Sequence, residues 1–372
     1  MIYGSRKNVS MTITGAKKLT VAPSVHEIKH ETGRLPTLWI HTMAGPKQGF
    51  GHLRRCMILA GELRDCVQTV FVLRPDDRWS DVHLKAHGFK HQNSVFSDLW
   101  SESAIRPAAI IIDTRLADGL NAFIQTAQEK NVPVLSLHDL GLNPLCSDIA
   151  VDGSINGASF GDLPARRTFT GTAYMILDPA LQKLRRRRLR AASEIRSIFV
   201  ALGGGDARKY FSRVLAGMRL WASETERKVE VTGMRGFVEW GQDDFNEETL
   251  HPLRFRWASG PAAEFLHDSD LAVTSGGISA YEALCSGTPL LALSWDSLQQ
   301  ATIDRIDKAG GCVNLGAGDD LTPEFLAGRF EKIAGDAAAR EKMARTGMKI
   351  VDGRGAKRVA AIIRRVIIRR EA

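Results

Sequence analysis

The sequence predicts an α/β protein built from two doubly wound, Rossmann-like halves. Three observations carry that expectation. Short, continuously apolar runs alternate with segments of helical period, the pattern of a parallel sheet covered on both faces. Glycine-rich turns follow several of these runs, where open parallel sheets hold their ligands. The alternation breaks at a basic connector, residues 183–190, and then restarts. The length of 372 residues fits two cores, since a single core seldom grows far past roughly 250 residues.

Residues 1–36 are polar, lack sustained periodicity and end at Gly33-Arg34-Leu35-Pro36. They are expected to form a flexible extension, so a chain beginning near Pro36 should keep its stability and turnover. The N-terminal half, 37–190, opens with the strand candidate Leu38-Trp39-Ile40-His41. After a glycine loop, Leu53, Met57, Leu59, Ala60 and Leu63 follow a period near 3.6, which predicts a helix. Further strands are expected at Val70–Leu73, at Ala108–Ile112 ending in Asp113, and at Val132–Leu137, with a helix over Leu116–Lys130 before the last. The C-terminal half, 191–352, repeats the pattern with strand candidates at Ile198–Leu202, Lys228–Val231, Leu271–Thr274 and Leu290–Leu293. Residues 353–372 read as a basic amphipathic helix, with Val359, Ile362, Ile363, Val366 and Ile367 on one face. That face suits docking on the body of the protein, or weak peripheral contact with an anionic membrane surface.

Composition narrows the function. Hydrophobic residues make up 44% and charged residues 25% of the chain, which excludes a disordered protein. Five cysteines with no Cys-x-x-Cys pair predict neither a disulfide scaffold nor a structural zinc site, and suit a reducing, cytoplasmic setting. No apolar run approaches the roughly 20 residues that span a bilayer, and the N-terminus has no apolar signal-peptide core. The net charge of +8 points to anionic partners. Nucleic acid is not expected, because the basic residues lack interleaved aromatics and no recognition motif is present.

The glycine turns supply the candidate chemistry. Gly49-Phe50-Gly51-His52 joins the first strand to the first helix. It is neither Gly-x-Gly-x-x-Gly nor a P-loop. It does place His52 at a helix start facing the crevice, where an imidazole suits a general base; a structural histidine is the alternative. Asp113 and Asp139 follow strands of the same half and are the next candidates for a base. In the second half, Gly203-Gly204-Gly205-Asp206 ends one strand and Ser275-Gly276-Gly277 ends another. A helix beginning near Ser279 would offer its amide groups to a diphosphate, with Glu282 accepting from a ribose diol. The competing reading makes Ser279 a cap and Glu282 the third position of a capping box. No Asp-x-Asp is present, and neither a metal nor another cofactor is expected.

The stretch Gly276, Gly277, Ser279, Glu282, Gly287 and Pro289 resembles the donor site of GT-B nucleotide-sugar enzymes, the group that includes the MurG-type glycosyltransferases. Gly51-His52 with Arg55 resembles the Gly-x-Gly-His-x-x-Arg signature of the PseG/SpsG family. That family includes UDP-2,4-diacetamido-2,4,6-trideoxy-β-L-altropyranose hydrolase and proteins of spore-coat polysaccharide synthesis. Gly171-x-x-Tyr174-x-Ile176-Leu177, Gly203-Gly204-x-Asp206 and Asp352-Gly353-x-Gly355-Ala356-x-Arg358 continue the likeness, which spans about residues 37–358. The chain departs from the pattern at His41-Thr42-Met43-Ala44 and at Asp113-Thr114-Arg115, while the family's Asn-Gln pair appears as Leu298-Gln299 or Gln299-Gln300. The resemblance implies a GT-B fold and a UDP-sugar hydrolase for surface-glycan or nonulosonic-acid synthesis. A GT-B glycosyltransferase and a non-catalytic nucleotide-sugar-binding protein are the alternatives. It further implies His52 as catalytic. The nucleotide would be held by Gly203, Gly204, Asp206, Ser275, Gly276, Gly277, Ser279 and Glu282, and the sugar by Gly49, Gly51, Arg55, Asp113, Gln299 and Gln300.

Overall fold

The structure is a computed structural model that describes residues 34–95, 98–102, 106–116, 119–138, 145–157, 165–185, 192–205, 207–236, 250–258 and 261–371. Most of the expected extension, residues 186–190 of the basic connector, Asp139 and Asp206 lie outside the described residues.

Seven strands form the first sheet: β1 Thr37–Thr42, β2 Gln68–Leu73, β3 His91–Asn93, β4 Ala109–Asp113, β5 Val134–His138, β6 Ile149–Asp152 and β7 Arg167–Thr170. All neighbours pair in parallel, in the order β3-β2-β1-β4-β5-β6-β7. Six strands form the second: β8 Ser197–Ala201, β9 Val229–Gly233, β10 Leu253–Trp257, β11 Leu271–Ser275, β12 Leu290–Ser294 and β13 Val313–Ala317. They too are parallel, ordered β10-β9-β8-β11-β12-β13. In each sheet the chain winds outward from the middle in one direction and then in the other. The reversal lies between β1 and β4 in the first sheet and between β8 and β11 in the second. Ligands of open parallel sheets collect at that reversal, outside the carboxyl ends of the strands.

Each sheet is covered on both faces, as the apolar runs demand. Helix Gly51–Leu63 lays Leu53, Cys56, Leu59, Ala60 and Leu63 on Leu38 and Ile40 of β1. The other face of the first sheet buries Trp39, Ile110 and Ile112 against Phe123 and Ile124 of the helix Leu120–Glu129. In the second sheet, Val214, Met218 and Trp221 of helix Arg208–Glu224 cover one face. Helix Ile278–Ser286 covers the other.

The chain passes between the two sheets twice after β7, and the passages touch. Met175, Leu177 and Leu181 leave the first sheet and pack under the second, with Phe199 and Leu284. The terminal helix Gly355–Glu371 returns to the first sheet, where Val359, Ile363 and Ile367 join the core containing Leu53 and Leu59. The apolar face weighed between docking and a membrane surface therefore packs on the body. These three side chains are 0–2% exposed, and each contributes about 1.5–3 kcal/mol by leaving water. Arg358 pins the first turn of that helix, pairing with Asp352 through both carboxylate oxygens and donating to the Ala173 carbonyl at 2.9 Å. Gly355 lies flat on the Met175 backbone, with no room for a Cβ. The two glycine-containing motifs near 171–177 and 352–358 thus meet as the place where the chain crosses.

Among the described residues no helix is long and apolar enough to cross a membrane, and all five cysteines are unpaired.

Candidate active site

The loop after β1 closes on itself, the Gly49 amide donating to the Gly45 carbonyl at 2.6 Å. Helix Gly51–Leu63 starts two residues later. β1 pairs with β4 so that Thr42 lies opposite Asp113, which sets the first turn of the helix over the strand end carrying Asp113. His52 Nδ1 comes 2.7 Å from Asp113 Oδ1. Arg55, one turn on, donates from Nε to Oδ2 at 2.5 Å and from Nη2 to Oδ1 at 2.6 Å. Asp113 is 0% exposed, and His52 and Arg55 are almost as buried. Burial alone would push the Asp113 carboxyl up. The charges and hydrogen bonds of Arg55 and His52 outweigh it and hold the carboxyl well below the usual carboxylate range.

An ionised carboxylate only accepts, so the proton of the bond lies on His52 Nδ1. The approach of Arg55 Nη2 to the same nitrogen, 3.0 Å, sets two donors side by side with the carboxylate between them. In the neutral ring, Nε2 keeps the lone pair. An imidazole held this way by a carboxylate is able to take a proton from a hydroxyl or a water. Asp113, expected on the sugar side, instead sits sealed behind His52 and Arg55 and orients them.

The reversal point of the second sheet supplies the opposite wall. Gly203 and Gly204 follow β8. Ser275 ends β11, and Gly276 and Gly277 lead into helix Ile278–Ser286. Gly277 is the N-cap and no side chain caps the helix. Ser279 is therefore already inside the helix, and the capping box of Ser279 and Glu282 does not form. Glu282 is 1% exposed and its Oε1 lies 3.1 Å from Arg54 Nη2, across the two halves. Burial pushes the Glu282 carboxyl up, and the Arg54 charge works against that.

The walls touch. A Cβ on Gly204 would stand 2.7 Å from the Phe50 nitrogen and 3.0 Å from Gly49 Cα, so only glycine allows the approach. Gly51 faces Ile278 in the same seam. Gly276 lies against the Gln299 backbone, and the Gln299 side chain accepts from the Trp295 amide at 3.2 Å. Gln300 is turned into an internal network, accepting from Ser294 Oγ at 2.6 Å and donating to Asp304 at 2.7 Å. Gln299, common to both readings of the Asn-Gln pair, is the residue beside the glycine turn. Among the described residues no cluster of three or more His, Cys, Asp or Glu side chains suits a metal.

Two residues of this region were not singled out from sequence. Arg54 gives no local signal, because its partner Glu282 belongs to the other half. His138 ends β5 as Asp113 ends β4, and that placement was the signal available. His138 and His41 are both buried, and burial pushes each imidazole down to about 4. The unfolded chain takes up these protons near 6.5. Between pH 6.5 and 4 it therefore binds more protons than the folded state, and stability falls as the pH is lowered through that window. About 3 kcal/mol is expected from each ring. Urea unfolding at pH 7 and 4.5 checks this, and His41→Asn should flatten the difference by about half.

The fold and the site together define a class: two Rossmann-like halves whose reversal points face one another, the GT-B architecture. Solved structures bear this out. MurG of Acinetobacter baumannii superposes with a TM-score of 0.62 at 12% identity, covering 88% of this chain and 99% of that one. LpCGTa, solved in complex with UDP, superposes with a TM-score of 0.63 at 16% identity, over 90% and 99%. In sequence, the chain is similar to the spore coat polysaccharide biosynthesis protein SpsG of Bacillus subtilis, being 27% identical over 337 residues, 86% of this chain and 95% of the relative. That likeness runs with the motifs resembling the PseG/SpsG family. No family model matches the chain.

Proposed function

We propose that this protein is a UDP-sugar hydrolase of surface-glycan synthesis, with His52 as its general base. The observation that carries the reading is the His52–Asp113–Arg55 cluster at one reversal point, set against the glycine turns and uncapped helix of the other. The diphosphate lies at the start of helix Ile278–Ser286, with Gly203 and Gly204 beside it, and the amide groups there take up negative charge. Glu282 takes the ribose hydroxyls, sharing them with or releasing Arg54. A water gives its proton to His52 Nε2 and its oxygen attacks the anomeric carbon. The bond from that carbon to the β-phosphate oxygen breaks, and UDP leaves with the electron pair. Free sugar and UDP are the products. Asp113 stabilises the imidazolium that forms. The similarity to SpsG and the fold shared with LpCGTa support a nucleotide-sugar substrate.

A transferase is the second reading, favoured by the glycosyltransferase fold of the structural neighbours. An acceptor hydroxyl then replaces water and the same residues act. A panel of UDP-sugars, assayed for UDP release without acceptor, decides between them. Release with free sugar supports hydrolysis, release only on adding an acceptor supports transfer, and binding without release under either condition refutes catalysis.

Glu282→Ala should weaken UDP about ten- to a hundredfold, the cost of losing a hydrogen bond to a charged group. Its partner Arg54 is more than a third exposed, so the fold should hold. Calorimetric titration with UDP checks this; a folded variant of unchanged affinity leaves Glu282 as the partner of Arg54 alone.

A further inference from the structure

Beside the His52 cluster the first half contains a small cavity, lined by Arg55, His138 and Ser154 and by the apolar side chains of Leu137, Val151 and Ile176. His138 is 4% exposed, and its Nδ1 is buried with no hydrogen-bond partner among the described residues. Buried polar atoms are rarely left so.

The hydroxyls behind the ring bear on what this atom can do. Ser147 Oγ lies 3.0 Å from the Ile149 carbonyl and 2.7 Å from Ser136 Oγ, which lies 2.6 Å from His138 Nε2. With Ser147 donating to the carbonyl, Ser136 donates to Ser147 and accepts from Nε2, and the proton of the imidazole is on Nε2; the reverse chain of donors would put it on Nδ1. Burial holds the ring neutral near pH 7, so in the first arrangement Nδ1 presents a lone pair and no proton.

We propose that His138 is a specificity residue of the sugar subsite: its Nδ1 accepts a hydrogen bond from a hydroxyl or N–H of the sugar carried by the nucleotide, within the cavity that Arg55 borders. The inference rests on the nucleotide-sugar reading above and adds to it a residue that touches the sugar and not the nucleotide. Because β5 lies next to β4, the ring stands one strand away from Asp113 at the same edge of the sheet. A water held by Nδ1 is the competing occupant.

The test is calorimetric titration of the His52→Asn protein, in which turnover does not intervene, with UDP, UDP-glucose, UDP-galactose and UDP-N-acetylglucosamine. His138→Gln and His138→Asn are then added to that protein. The glutamine amide keeps the donor to Ser136 and loses the acceptor in the cavity, whereas the asparagine oxygen keeps an acceptor near the position of Nδ1. In His138→Gln at least one UDP-sugar should weaken about three- to tenfold, with UDP unchanged, and His138→Asn should restore most of that loss. Equal weakening of UDP and every UDP-sugar would make His138 structural. No weakening would assign a water to Nδ1, and UDP binding with no UDP-sugar binding also overturns the proposal. If UDP itself does not bind to the protein carrying His138, the nucleotide reading fails first and this inference falls with it. Should His138→Gln not fold, nitrogen NMR of the labelled imidazoles separates the same outcomes. An unprotonated Nδ1 resonance that moves with a UDP-sugar and not with UDP supports the assignment; a protonated or unmoved Nδ1 overturns it.

Discussion

His52→Asn lowers turnover by about 10²–10⁴, the usual value of a positioned acid or base, and leaves most of the UDP affinity in place. The two effects separate because the side chain and the nucleotide belong to different halves: His52 sits over β4, while the helix start and Glu282 lie beyond the seam. The asparagine amide still pairs with Asp113, so the cluster stays closed and the thermal midpoint should change little. Steady-state rates and UDP titrations on both proteins measure both effects. Near-normal turnover in the variant would show His52 to be structural.

Asp113 gives the second large effect, and two substitutions divide it. Asp113→Ala leaves the buried Arg55 guanidinium without its carboxylate, and stripping one partner from a buried pair costs about 3–5 kcal/mol. Asp113→Asn keeps the shape. Its amide has one accepting oxygen where the carboxylate had two and no charge, so its NH2 group faces a donor of Arg55 or His52 whichever way it lies, and the hold on the His52 tautomer and the stabilisation of an imidazolium are lost. Turnover should fall by about 10²–10⁴ in a protein that still folds. The pH dependence of stability provides a separate reading. The folded carboxyl lies below its ordinary value of 3.8, so its contribution is fully present above that value and disappears as the pH falls below it. Unfolding curves between pH 5 and 2 should show that acid limb in the native protein and a shallower one in Asp113→Asn. Equal slopes in the two proteins would contradict the assignment of the charge to Asp113.

The alternation of apolar runs and helical segments was enough to read most of the central strands; β6, Ile149–Asp152, was missed because its four residues are too short a run to stand out. Ile110-Ile111-Ile112 and Leu290-Leu291-Ala292 are buried on both sides of a sheet, and burial on both sides is what makes a strand continuously apolar. Strands at the edges were not legible. β3 is His-Gln-Asn, β7 is Arg-Thr-Phe-Thr and β10 is Leu-Arg-Phe-Arg-Trp; each has a neighbour on one side only and carries polar residues. The helix expected over Leu116–Lys130 is shorter in the structure, because Gly119 in a left-handed conformation starts it at Leu120. Around the site, Gly49, Gly51, His52, Gly203 and Gly276 were marked by chain-local chemistry. The Arg54–Glu282 bridge was not: Glu282 read as a ribose ligand or a capping-box residue, and Arg54 carries no local signal because its partner lies in the other half. The amphipathic face of the terminal helix was plain in sequence, but periodicity says only that a face is apolar and not which sheet receives it.

The crossing at Met175 and Gly355 has a mechanical consequence. The two stretches that carry the chain between the halves lie against each other and are bolted by Arg358 and Asp352. Two tethers that coincide act as a single pivot. Sliding and separation of the halves are resisted there. On the side of the site, Gly204 against Gly49 and Phe50 and the pair of Arg54 with Glu282 join the same halves, so opening the seam must break those contacts while the crossing holds.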